Sequence, residues 1–410
     1  MNIISKLLFL INSLMGLFIF ILPTALIAIP KGGSVVALML ILSLVGLAIN
    51  RDKLELSKWE KYFVFSFVFY FAVIAINLWW FDGKLHDLDT PSRLLLVLPI
   101  FFFIRKSNIS VSWFIWGVIF SSILTGLIKF GIIDAYYLSK IVTVQTGNFS
   151  LFSSILSLTS IVFINKSNSH IKNLTFFAAF IFSISASILS GGRGVWIAAI
   201  LSLILVSIIN PMQWSIRSRL LVVLLMVALF YSAYLTPQTG VKSRVDLAIV
   251  NTISWVQNGQ ANSSSGVRLE MWKASFEVIK ENPIIGVGED NYAKHQKKLI
   301  DQGKIDKFAG NFLHPHGEYI TSLVEQGAIG LLAFIFVLLA PIMLFLNIIK
   351  HSLFNYQERV LAASGMLIVL HFGFYSFTAT VFAHQSTALF YAVFLSIVVG
   401  LVSMKNRSDG

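Results

Sequence analysis

Apolar runs of roughly 15–23 residues recur along the whole chain, separated by short polar breaks. They fall at about 7–29, 34–50, 62–81, 94–104, 112–130, 150–164, 174–190, 195–209, 220–236, 327–349, 361–380 and 385–403. Most are long enough to cross a ~30 Å hydrocarbon core as a helix. The fourth is short, and its helix is expected to begin a few residues earlier. The breaks carry turn chemistry, as at Pro30-Lys31-Gly32-Gly33, Asp82-Gly83-Lys84 and Asn210-Pro211. A β-barrel would show short alternating segments instead. The pattern predicts an all-α, polytopic membrane protein with about twelve transmembrane helices. Nine spans are expected over 1–236, a large and mostly helical extracytoplasmic loop over 237–326, and three more spans over 327–410. The first run is too long for a signal-peptide core and lacks a convincing small-residue cleavage site, so it reads as a retained span.

Composition agrees. Hydrophobic residues make up 56% of the 410 and charged residues only 12%, about half the charged share of an ordinary soluble domain. The net charge of +12 is spread among short loops, with no basic stripe interleaved with aromatics, so it speaks for anionic lipid headgroups rather than nucleic acid. The absence of cysteine excludes disulfides, thiolate metal sites and cysteine nucleophiles. Basic residues such as Arg51, Lys53, Arg105, Lys106, Lys350 and Arg359 collect on one set of short loops, and few lie on the other. By the positive-inside rule both termini are cytoplasmic and the long loop is outside.

Within that loop, Asn258 to Gly266 (NGQANSSSG) reads as mobile. An amphipathic helix follows over Val267 to Glu281, with Leu269, Trp272, Phe276 and Ile279 on one face and Glu270, Lys273, Glu277 and Lys280 opposite. Pro283 stops it. Such a helix either lies flat on the outer membrane surface or packs onto the protein's own spans. No internal repeat is visible, unlike many transporters.

Three places carry candidate chemistry. Ser190-Gly191-Gly192-Arg193-Gly194 joins two spans with almost no loop, and Arg193 stands on the outer side against the charge bias. Its guanidinium forks onto phosphate oxygens, which suits an anionic lipid headgroup; a snorkelling arginine on ordinary phospholipid is the alternative. Arg268 opens the amphipathic helix, where the helix N-terminus also favours anions, or is an ordinary surface charge. His314-Pro315-His316-Gly317-Glu318-Tyr319 precedes the helix leading into the tenth span. Its i, i+2 histidines are unlike a zinc pair. A histidine at a helix N-terminus near arginines is biased to the neutral form and can accept a hydroxyl proton; otherwise it caps or hydrogen-bonds. His371, Tyr375 and His384 are intramembrane or span-end polar groups, for which an interhelical hydrogen bond is the simpler role. Asp82, His86, Asp87 and Asp89, like Asp134 and Lys140, read as solvated loop residues that could touch a sugar or a cation. No phosphate loop, nucleotide-sugar motif or serine-hydrolase elbow is present.

Together these places resemble the O-antigen ligase and polymerase superfamily. The resemblance rests on Leu189-Ser190-Gly191-Gly192-Arg193-Gly194-Val195-Trp196, on Gly266-Val267-Arg268-Leu269-Glu270-Met271-Trp272-Lys273 through Asn282-Pro283-Ile284-Ile285-Gly286-Val287-Gly288, and on His316-Gly317-Glu318-Tyr319-Ile320 with Glu325-Gln326-Gly327. It departs at Gly317, where the family usually has asparagine or another polar residue. The resemblance implies a metal-independent, inverting GT-C type glycosyltransferase without a cofactor, most like the ligases of lipopolysaccharide assembly in the bacterial inner membrane. The donor would be a glycan on undecaprenyl pyrophosphate and the acceptor a sugar hydroxyl of lipid A–core, with the site at the periplasmic face. Arg193 and Arg268 would then bind the pyrophosphate, and His316 would take the acceptor's proton. A polymerase with a lipid-linked acceptor, a protein O-oligosaccharyltransferase and, from another class, a lipid-linked glycan transporter are the competing readings. Nothing in the sequence demands a second subunit.

Overall fold

The computed structural model describes residues 3–29, 32–133, 146–163, 170–211, 213–259, 261–289, 291–312, 314–351 and 354–404. Among these residues there is no strand. The helices are α1 (Ile3–Ala28), α2 (Ser34–Ile49), α3 (Lys58–Trp80), α4 (Asp89–Leu96), α5 (Leu98–Lys106), α6 (Ser112–Lys129), α7 (Thr146–Val162), α8 (His170–Ser190) and α9 (Arg193–Ile209). They continue with α10 (Ile216–Leu235), α11 (Val241–Asn258), α12 (Gly266–Glu281), α13 (Tyr292–Asp301), α14 (Glu318–Glu325), α15 (Gly327–Lys350), α16 (Tyr356–Tyr375) and α17 (Gln385–Ser403).

Every predicted apolar stretch overlaps a helix among the described residues, but the stretch 361–380 overruns its helix, which ends at Tyr375. Helices α1, α3, α6, α8, α10, α15 and α17 are long and apolar enough to cross a membrane, and α2, α7 and α9 are shorter apolar helices. The fourth stretch is a broken helix, α4 then α5, interrupted at Val97 just before Pro99. The ring of Pro99 forbids the preceding turn from running straight through. The early start expected there is Asp89. Asp134 and Lys140 lie outside the described residues.

Helix α17 is the axis of the bundle. Almost all of it is buried, and it packs on α4, α5 and α16. Phe390 stacks on Phe152 of α7 with ring centroids 4.0 Å apart, and on Phe394 at 4.1 Å. Helices α7 and α8 meet along small hydroxyl residues rather than large apolar ones. Ser183 donates to the Ser153 carbonyl, Ser157 to that of Phe180, and Ser187 to that of Ser150. Small residues let two backbones approach closely, and their hydroxyls find partners where no water is available. The outer surface is apolar, as at Trp79, Ile76, Leu221 and Leu224, the inverse of a water-soluble protein and the signature of a lipid-facing wall. The chain is a helical membrane protein.

Residues 237–326 build a second, smaller core on one end of the bundle, from Val267, Met271, Ala274, Val278, Val287, Tyr292, Leu299, Ile305, Ala309 and Val324. Here two expectations are corrected. The packed face of α12 is Val267–Met271–Ala274–Val278, whereas Phe276 is exposed and Glu270 is buried. The small side chains of Ala274 and Ser275 allow close approach of α13 and α14, and Glu270 is kept buried by accepting from Trp255 Nε1 (2.8 Å) and Asp306 N (3.0 Å). Helix α12 therefore packs on loop elements, not mainly on spans. The helix that bares an apolar face is α11, with Leu247, Ile249, Val250, Ile253 and Val256 exposed.

The loop core is fastened to the bundle by Asn77 near the end of α3. Its Nδ2 donates to the carbonyls of Ile285 (3.0 Å) and Glu325 (3.3 Å). The backbones of Val287 and Gly288 in turn donate to Val324 and Glu325, both at 2.9 Å. Replacing Asn77 by alanine leaves buried carbonyls with fewer partners, at a cost of about 1–3 kcal/mol. Asn77→Ala is expected to lower the thermal unfolding midpoint of the detergent-solubilised protein; an unchanged midpoint would show that the loop core docks without this tie.

Candidate active site

The chain leaves helical geometry at several points on the end of the bundle that carries the loop core, and these points surround one cavity. It has a volume of about 870 Å³, and its wall includes Ser190 to Gly194, Arg244, Ser264, Arg268, His316, Tyr375, Thr378 to Val381 and His384. All three site residues expected from the sequence, Arg193, Arg268 and His316, line it. They are far apart in sequence and come from three different elements.

Arg193 is the first residue of α9, immediately after the tight turn from α8. Gly191 makes that turn with φ +79°, in the region open to glycine. The Arg193 guanidinium donates from Nη1 to the Arg244 carbonyl (2.9 Å) and from Nη2 to the Ser264 hydroxyl (3.3 Å). The stretch expected to be mobile is thus partly closed as a turn. Ser264 reaches Arg193, Ala261 is buried, and Gly266 N donates to Ser263 Oγ.

Arg268 stands in the first turn of α12. Among the described residues its guanidinium has no carboxylate partner, and no hydrogen bond to protein is formed by its donors. Burial and then the nearby Arg193 charge push its pKa below the usual arginine value. It stays cationic, because the ordinary value lies so far above neutrality. Among the described residues no Asp or Glu lies in the cavity wall. Positive charge is therefore concentrated in a partly desolvated pocket without internal compensation, the arrangement of an anion site.

His316 sits on the turn entering α14. Trp272 Nε1 of α12 donates to its carbonyl at 2.6 Å, and the Phe312 ring meets the imidazole edge-on at 5.7 Å. Burial, then Arg268, His384 and His314, push the imidazole down to about 4. It is neutral, with a lone pair available. His314 turns away, its Nδ1 3.0 Å from Glu325 Oε1, and does not line the cavity. Gly317 has φ +113° and ψ 116°, and a side chain there would press on the Phe377 carbonyl at 3.1 Å. Backbone conformation and space both suit glycine here, so the orientation of His316 is set by Trp272 and Phe312 rather than by a neighbouring side chain.

Beneath His316, buried Glu318 joins α14 to the connection between α16 and α17. Its backbone N donates to the Ser376 (2.8 Å) and Ala379 (3.1 Å) carbonyls, and its carboxylate accepts from Phe382 N (3.0 Å). Burial, with Glu325 adding to it, raises its pKa to about 7. That connection carries Thr378 and His384 to the cavity. His384 is itself held toward the neutral form by burial and by His314.

Other candidates fall elsewhere. His371 is fully buried within α16, away from the cavity, whereas Tyr375 at its end joins the wall. Asp82, His86, Asp87 and Asp89 stand outside the wall; His86 pairs with Asp87 (3.0 Å), and Asp89 pairs with Arg93 (3.1 Å) and accepts from Gln385. Sequence reasoning missed Arg244 and passed over His384. Arg244 stands in the long loop outside the three motifs, with nothing in its local sequence to set it apart.

Residues 178–335 match the O-antigen ligase family. This segment contains Arg193, Arg244, Arg268 and His316. An uncharacterized protein of Haemophilus influenzae is 28% identical over 393 residues, covering 93% of this chain and 96% of that protein.

The His316 imidazole is expected to titrate near pH 4, and Arg268→Ala to move that midpoint upward by removing a like charge. Histidine-selective NMR of the labelled protein, with His316→Asn for assignment, reads both. A wild-type midpoint at the ordinary 6.5 would mean that the cavity does not act on this ring.

Proposed function

The chain belongs to the O-antigen ligase superfamily, and on that premise we propose that it transfers a glycan from undecaprenyl pyrophosphate to a sugar hydroxyl of lipid A–core during lipopolysaccharide assembly. In this reading the site lies at the periplasmic face of the inner membrane, with both chain termini in the cytoplasm. One observation carries it: one cavity at the end of a membrane bundle gathers arginines and a neutral histidine, with no carboxylate in its wall among the described residues.

A polyprenyl donor accounts for a reaction centre built into the edge of a lipid-facing bundle, next to the apolar face of α11. Its pyrophosphate accounts for guanidinium groups that have no carboxylate partner among the described residues. The acceptor hydroxyl attacks the anomeric carbon from the face opposite the pyrophosphate, so configuration inverts. The anomeric C–O bond breaks with its electron pair going to the pyrophosphate, a new C–O bond forms, and the hydroxyl proton passes to His316. Arg193 and Arg268 meet the charge growing on the leaving group, which is where preorganised donors stabilise a transition state most. They supply in fixed form what a divalent cation supplies in other phosphate chemistry, so the proposed reaction needs no metal or cofactor.

An imidazole held near 4 is a weak base in the free protein. A bound pyrophosphate places negative charge beside it and raises its basicity toward neutrality, where a general base works best. The proton-accepting strength of His316 thus depends on the donor being in place, which disfavours activation of water in the empty site.

The test incubates purified protein with a lipid-linked glycan and rough lipopolysaccharide. Label on lipid A–core is the expected result. Arg193→Ala or Arg268→Ala is expected to lower kcat roughly 10²–10³-fold, the scale of losing one charge-stabilising donor, and His316→Ala to lower it roughly 10²–10⁴-fold. Label in longer chains still on the polyprenyl carrier would make the protein a polymerase. Label on neither acceptor would overturn a transferase role, and full activity in Arg193→Ala would overturn the assignment of the site.

A further inference from the structure

We propose that Arg244 is a third phosphate-binding group of this cavity, holding the charge that appears on the carrier pyrophosphate as the glycan leaves. The proposal rests on the reading of the cavity as a polyprenyl-pyrophosphate site.

Arg244 lies on α11, an element outside the sequence signals that flagged Arg193 and Arg268, yet it lines the same cavity. It is fixed to the α8–α9 turn by reciprocal bonds. Its Nη1 donates to the Gly191 carbonyl (3.1 Å), and its own carbonyl accepts from Arg193 Nη1 (2.9 Å). The turn is shaped around it: a Cβ at position 191 would stand 2.2 Å from Arg244 Nη1. The guanidinium is therefore seated against the turn that also launches Arg193.

Among the described residues its charge is unbalanced. Elsewhere in the chain Arg93 is paired with Asp89 and Arg105 with Glu60. Among the described residues no carboxylate pairs with Arg244, and apart from the bond to Gly191 its guanidinium donates to no protein acceptor. Arg193 and Arg268 likewise have no carboxylate partner there. Three cations with spare donors around one cavity call for a ligand of more than one negative charge.

The chemistry supplies such a ligand. A glycan–pyrophosphate–polyprenol diester carries two negative charges. When the anomeric C–O bond breaks, the bonding pair stays on the phosphate oxygen and a third charge develops on the released pyrophosphate. Two guanidinium groups already balance the two charges of the donor, so the third lets the cluster as a whole hold the additional charge of the transition state and the product. Binding that is stronger there than in the ground state is what raises kcat. The same interaction predicts tight retention of the released carrier.

The experiment measures binding of undecaprenyl pyrophosphate and of undecaprenyl phosphate to the protein in nanodiscs, alongside glycan transfer. Arg244→Gln keeps a donor for the Gly191 carbonyl and removes the charge, and Arg244→Lys restores a charge. The expected result is a roughly 10–100-fold loss of undecaprenyl pyrophosphate affinity in Arg244→Gln, the scale of a charged hydrogen bond. Undecaprenyl phosphate should lose much less, Arg244→Lys should recover part of the loss, and kcat should fall with little change in the KM for donor. Equal losses for both lipids, unrepaired by lysine, would assign Arg244 a purely structural role and overturn the proposal. Wild-type binding and transfer in Arg244→Gln would overturn it alone, leaving the transferase reading intact. If the wild type transfers no glycan but binds the pyrophosphate carrier in the expected Arg244-dependent way, the transferase reading fails and the phosphate site stands.

Discussion

A peptide N–H or C=O facing hydrocarbon has no water to bond, so a chain of this composition must satisfy its backbone within helices and can leave helical geometry only where other groups complete it. The rest of the structure follows from that constraint. The breaks that matter here, the α8–α9 turn, the entry to α14 and the connection between α16 and α17, lie together at one end of the bundle. Each is closed by specific partners: the Gly191 carbonyl by Arg244, the Ser376 and Ala379 carbonyls by Glu318 N, and Phe382 N by the Glu318 carboxylate. The places where backbone is freed from the helix are also the places where polar side chains can gather, and the cavity forms there.

Electrostatics then shape what the cavity can hold. Arginines brought together repel one another, and burial adds to the cost. Carbonyl oxygens of Gly191 and Arg244 offset part of this, but among the described residues no acid enters the wall to cancel it. The same positive charge and burial keep His316 neutral. One arrangement therefore provides an anion site and, beside it, an imidazole able to accept a proton. Neither property belongs to a single residue, since each depends on the others being close.

The small loop core positions Arg268 and His316. Met271, Ala274 and Val278 bury one side of α12, which fixes the direction of Arg268 at its start. Trp272 on the same helix holds the His316 carbonyl. Arg268 and His316 are thus set relative to each other through one rigid helix, while Asn77 fastens that core to α3. Shifts of the loop against the bundle would separate Arg268 and His316 from Arg193, which belongs to the spans.

Local sequence determined the class of fold. Apolar run length requires helices in lipid, Pro99 breaks the fourth stretch, and the amphipathic period places a helix over 267–281, within a residue of its observed start at Gly266. The motifs around Arg193, Arg268 and His316 were legible because glycine-rich turns and charged residues are conspicuous beside apolar spans. What the tertiary structure decided is which groups meet. Helix α12 is apolar on more than one side, and periodicity cannot say which side finds a partner; small Ala274 and Ser275 won over bulky Phe276 because they admit close packing. Arg244 and His384 carry no local mark that separates them from surface or span-end residues. They joined the site through contacts between elements distant in sequence, and such contacts are written in the packing of the whole bundle rather than in any one stretch of it.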